Sequence, residues 1–240
     1  MAATPKGLDK LIEDSTYVFK ATVTQLNSSN EPAVRPGAGL IVAHVDEAFR
    51  ASHSVGLRGL RGRDVTIQLS GGAPDIGEKL LVFANEWVYG TQIALREVAH
   101  HKATAQAEKE VEEIVERLPI RQLEARLDDA ALVIEGEVEK IEPTPIPDGF
   151  SLHSPNYRLA VVRVESVLKG RAGEHVRILF PTNPAPPWRT APRLKEGRNA
   201  VFILRHEKVL KAPEEFFTAL DPHDVQSRES IPRIKALLKS

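Results

Sequence analysis

From Tyr17 the chain alternates between two faces, with Tyr17, Phe19, Ala21 and Val23 on one and Val18, Lys20, Thr22 and Thr24 on the other. A period of two among aromatic and β-branched residues predicts a strand. Just before it, Leu8, Leu11 and Ile12 stand at helical spacing, so a short amphipathic helix over residues 8–14 feeds that strand. The passage recurs 115 positions later, where Leu8, Asp14, Val18 and Val23 return as Leu123, Asp129, Val133 and Val138. In this second copy Leu132, Ile134, Gly136 and Val138 alternate with Val133, Glu135, Glu137 and Glu139. Four more strands follow in the same order in both halves: Leu40 to Phe49 against Leu159 to Leu168, Val65 to Leu69 against Val176 to Phe180, Leu80 to Phe83 against Val201 to Leu204, and Gln92 to Leu95 against Phe216 to Leu220. Val111, Ile114, Val115 and Leu118 then predict a helix stopped by Pro119, and Ile231, Ile234 and Leu238 predict its counterpart behind the N-cap Ser230. The pattern predicts a mainly β chain with flanking short helices. It is built as two five-stranded units in tandem, residues 1–118 and 119–240, that arise by internal duplication.

At 240 residues the chain is long enough for two cores, and 42 % apolar with 27 % charged residues is ordinary globular composition. A net charge of −1 gives no overall attraction to nucleic acid or an anionic membrane. The absence of cysteine removes disulfides, thiolate nucleophiles and thiolate metal sites together. The opening MAATPKGLDK has no apolar core of a signal peptide, and no run reaches the length of a spanning helix. The sequence as written is therefore expected to be soluble and cytoplasmic with no membrane partner, or secreted or periplasmic if a leader has been removed.

A small residue on the inward face of the first strand, Ala21 in one copy and Gly136 in the other, suits a strand that bends sharply in a small barrel. Five short strands with such a bend resemble the OB-fold. Helices at both ends make the halves similar in element order to the OB-like barrels of netrin modules and metalloproteinase inhibitors. The resemblance implies two OB-like barrels in tandem and carries no functional residue. The inhibitors act through a cysteine at the N-terminus, and this chain has none.

No HExxH, GxSxG, Walker or CxxC motif occurs. Gly37 and Gly39 precede a strand where a dinucleotide fingerprint would follow one, and they read as a turn. His100 with His101, and Asp221 with His223 and Asp224, sit at equivalent places between the fifth strand and the closing helix of each half. His101, His223 and Asp224 are thus the weak candidates for a metal, against a plain reading as caps and solvated loop. Arg50, Arg58, Arg61 and Arg63 gather in one expected loop, the best local case for an anionic partner. Trp87 and Tyr89 in the expected loop after the fourth strand, with Phe150, His153 and Tyr157 between the first two strands of the second half, are candidate stacking platforms. The proline-rich loop 181–193 carries Trp188 beside Arg189, a rigid amphipathic anchor of the kind that dominates interfaces. The expected function is a non-enzymatic adaptor, scaffold or inhibitor that binds another protein through barrel-end loops, with no cofactor. The alternatives are a single-stranded nucleic-acid binder and a metal-dependent hydrolase.

Overall fold

A computed structural model describes residues 7–52, 55–144, 146, 154–185, 188–206 and 216–239. Phe150 and His153 lie outside them, as does the side chain of Tyr89. The chain divides into two compact units, Met1–Pro119 and Ile120–Ser240.

The first unit runs α1 (Leu8–Glu13), β1 (Tyr17–Leu26), β2 (Leu40–Arg50), α2 (Gly56–Leu60), β3 (Asp64–Gln68), β4 (Lys79–Tyr89) and β5 (Ile93–Lys102), and it ends within α3 (Ala105–Asp129). Its strands close in the order β1-β2-β3-β5-β4. β3 and β5 are parallel, with Thr66 opposite Ala94, and the other pairs are antiparallel. The alternation foreseen for β1 holds, since Tyr17, Phe19, Ala21 and Val23 enter the barrel core with Ile41, Val45, Ile67 and Val82. The outer face is not uniformly wet. Val18, Leu81 and Phe83 are covered by Leu11 and Ile12 of α1 and by Val111 and Leu118 of α3. Burial on both faces explains why β4 opens with the unbroken apolar run Leu80 to Phe83.

α3 does not stop at Pro119. Proline withholds one helical hydrogen bond at a cost of about 3 kcal/mol. Each flank of the helix nonetheless packs on its own unit, Leu118 in the first and Leu123 with Leu127 in the second. Burial of these flanks outweighs the lost bond.

The second unit contains β6 (Leu132–Pro143), β7 (Tyr157–Lys169), β8 (His175–Pro181), β9 (Asn199–Leu204), β10 (Phe216–Thr218), β11 (Val225–Gln226) and α4 (Ile231–Leu237). Here the expected second closed barrel is corrected. The strands form a curled half-barrel in the order β10-β8-β7-β6-β9-β11. In the first unit β5 runs unbroken for 10 residues along both β3 and β4. Its counterpart is split: β10 follows β8, β11 follows β9, and a 3-10 turn at Pro222–Asp224 lies between them. Pro222 has no N–H for a ladder, so this strand cannot continue through it.

The pairing is otherwise alike. β1 carries irregularities against β2 at Val18/Phe19, Lys20/Ala21 and Val23/Gln25, and β6 carries them against β7 at Val133/Ile134, Glu135/Gly136 and Val138/Lys140. No helix among the described residues is long and apolar enough to cross a membrane.

Candidate functional site

The basic stretch of the first unit holds the five-residue helix α2, which carries Arg58, while Arg50 ends β2 before it and Arg61 and Arg63 lie in the turn after it. Leu60 is fully buried in the barrel core and anchors α2 to it. Gly62, at φ 77°, turns the chain back, and its N–H donates to the Val45 carbonyl at 2.8 Å while the Val45 N–H donates to Arg63 at 2.8 Å. A positive φ of this kind is natural to glycine. The helix start is tied by the Gly56 N–H to the Ser52 carbonyl at 2.8 Å, and the Ser52 hydroxyl meets Tyr17 at 2.7 Å.

This scaffold sorts the candidate arginines. Arg50 ends β2, half-buried, and donates to the Ile12 carbonyl, so it secures α1. Burial lowers its pKa, against the raising influence of Glu13. Arg58, Arg61 and Arg63 are exposed, and none of them forms an ion pair with an acid among the described residues. Leu57, beside them, is 48 % exposed. Leu57 and Leu60 are three apart, which is a helical spacing but would put both on one face, so the exposure of Leu57 beside the buried Leu60 is not legible from it.

The aromatic candidates are engaged. Trp87 and Tyr89 lie on β4 itself and not in the loop after it. Trp87 packs against Val34, Leu40 and Ala94, and the Arg96 guanidinium sits 5.7 Å from its ring centroid. Trp188 is half-buried, edge-on to Tyr157 at 6.4 Å. Arg193 clasps its loop by donating to the carbonyls of Pro181 at 2.7 Å, Asn183 at 2.8 Å and Trp188 at 2.8 Å. Arg189 is exposed.

Among the described residues no group of three or more histidines and acids is placed to hold a metal. His101 lies on β5, edge-on to Phe83 at 5.8 Å. His223 donates its backbone N–H to Asp221 at 2.9 Å, with its ring Nδ1 also 2.9 Å from that carboxylate. Burial would raise the Asp221 pKa, but these bonds outweigh it and hold the group at about 2. Asp224 is 1 % exposed. It accepts from Arg126 of α3 at 2.9 Å and from the backbone N–H groups of Leu220 and Asp221 at 2.8 Å each. Its role is to cap the turn that splits the fifth strand, and sequence reading missed the distant Arg126 partner. A groove of the second unit lined by Lys140, His175 and Arg177 is also internally paired. Lys140 meets Glu142 at 2.5 Å and His175 meets Glu139 at 3.0 Å.

His100 is the titrating group with a defined structural task. Its Nδ1 is 2.6 Å from the buried Glu97, whose other oxygen accepts from the Ser70 N–H at 2.8 Å and holds the loop after β3. The bond to Glu97 raises the His100 pKa despite burial, with further help from the charge of Glu78. A raised folded pKa contributes stability that is fully present below about 6.5 and is lost as pH rises through the folded value. Urea unfolding followed by Trp87 fluorescence, with Trp188 replaced by phenylalanine, should show the first unit weakening as pH rises above about 6.5. His100→Gln should flatten that slope, and an unchanged slope would show that another group sets it.

Compared with protein-family models and with curated proteins, the chain matches none.

Proposed function

We propose that this chain is a non-enzymatic protein-binding module, an adaptor, scaffold or inhibitor, that presents α2 of its first unit to another protein. The observation that carries this is the exposed Leu57 on a helix fixed from below by the buried Leu60. An apolar side chain held in water on a rigid element, rimmed by charge, is how protein interfaces begin. The reading also rests on an OB-like first unit, supported by the order β1-β2-β3-β5-β4 with β3 parallel to β5. Ancestral duplication of the two units is supported by strand irregularities that recur 115 positions apart.

Single-stranded nucleic acid is the second reading, favoured by Arg58, Arg61 and Arg63. Such binders add open aromatic platforms to a basic groove. Trp87 is already packed against its neighbours and Arg96, which weighs for the protein reading.

The test replaces Leu57 with a photoreactive benzoylphenylalanine in the full chain, with Ile76, 65 % exposed in the same unit, as the control position. Irradiation in native extract should yield protein adducts at position 57 and few at 76. Nucleic-acid adducts, or equal yields at both positions, would overturn the reading.

A further inference from the structure

We propose that the partner segment docked on α2 is acidic and carries an apolar residue, so that its carboxylates meet Arg58, Arg61 and Arg63 while the apolar side chain covers Leu57. This rests on the protein-binding reading above and names the chemistry of the partner.

Leu57 and Arg58 lie within α2, and Arg61 ends it with its N–H donating to the Leu57 carbonyl at 3.1 Å, so an exposed apolar side chain and two exposed guanidinium groups come from five consecutive residues. Arg63 follows just beyond the turn at Gly62. The nearby acid Asp64 is engaged by His44 at 2.8 Å, and no acid among the described residues pairs with the three arginines. This short stretch is therefore positive and not neutralised by an acid among the described residues. Its chemical complement is a run of Asp or Glu, which guanidinium groups bind in bidentate fashion. A phosphate backbone would satisfy the same arginines but would leave Leu57 against charged groups. An acidic segment with one Leu, Met or Phe satisfies both. Because Leu60 and the Gly62 turn fix the helix before binding, little ordering is needed on this side of the interface.

Fluorescence anisotropy of the full chain tests this with labelled short peptides of three kinds: acidic with a central leucine, acidic with serine in its place, and neutral with leucine. Labelled oligo(dT) is the nucleic-acid arm. Only the first peptide should bind well. The double variant Arg58→Glu, Arg61→Glu should weaken it by about tenfold or more and should gain affinity for a basic peptide with the same leucine. Leu57→Ser should also weaken the first peptide. About 1 M NaCl, where charges are screened within about 3 Å, should weaken the complex without abolishing it. All these side chains are exposed, so the variants should melt as the parent does, which separates lost binding from lost folding.

Failure of all peptides to bind, unchanged binding by the double variant, or oligo(dT) binding as tight as the acidic leucine peptide would overturn the proposal. If protein adducts at position 57 persist in the double variant, the protein-binding reading stands and the acidic partner falls. If no protein adduct forms, both fall.

Discussion

Replacing Asp224 by alanine should cost the second unit about 3–5 kcal/mol, the range for removing one partner of a buried ion pair. The carboxylate is 1 % exposed and its Arg126 partner is 13 % exposed, so the guanidinium would be left buried without its counter-ion. Two backbone donors, Leu220 and Asp221, would lose their acceptor at the same time. Domains hold only about 5–15 kcal/mol in total, so the unit should be close to unfolding at ordinary temperature. Urea unfolding followed by Trp188 fluorescence, in a chain with Trp87 replaced by phenylalanine, would measure it. The double variant Arg126→Met, Asp224→Ala should recover part of the loss, because it removes the stranded charge. A loss below about 1 kcal/mol for Asp224→Ala would mean that water replaces the carboxylate and that the pair does not hold the turn.

Gly136→Ala is the second large effect. A Cβ there would strike the Arg163 carbonyl oxygen and a Val162 methyl, at the irregularity where β6 shifts against β7. Overpacking of this kind costs about 1–3 kcal/mol, and valine should cost more. The first unit supplies the contrast. Ala21 occupies the equivalent place opposite Val45, as Gly136 stands opposite Val164, and there the core accommodates a methyl group. Ala21→Gly should therefore cost only about 0.5–1 kcal/mol, chiefly in backbone entropy. Equal losses at the two positions, measured by chemical unfolding, would contradict the close approach at Gly136.

The barrel was legible because its signals are local. Alternation along Tyr17 to Val23 and Leu132 to Val138 fixes which side chains point inward, and the apolar runs between turn residues mark the order of the strands. The split fifth strand of the second unit was less legible. Pro222 signals a break, but Asp224 reaches Arg126 across 98 positions, and no spacing rule joins them. Local propensity predicts that α3 stops at Pro119, while apolar residues on both flanks keep it helical.

The surface residues of the site were harder still. Arg50 and Arg58 lie in one basic run, yet one is turned to the Ile12 carbonyl and the other to solvent, a division made by where β2 ends and α2 begins. Trp87 and Trp188 are aromatic in the sequence whether open or packed. The Arg96 cover comes from the neighbouring strand β5, and the Arg193 clasp folds back within the loop of Trp188 itself. Leu57 is not legible in the sequence because five residues of helix between two strands are too short for a periodic pattern to stand out.

The most direct test maps binding residue by residue. Amide NMR spectra of the full chain, titrated with the acidic leucine peptide, should shift Leu57 to Arg63 most strongly and leave Trp87 and Arg96 unmoved. Shifts centred on Trp87 and Arg96, or no shifts in 57–63 at saturating peptide, would contradict a protein-binding site on α2.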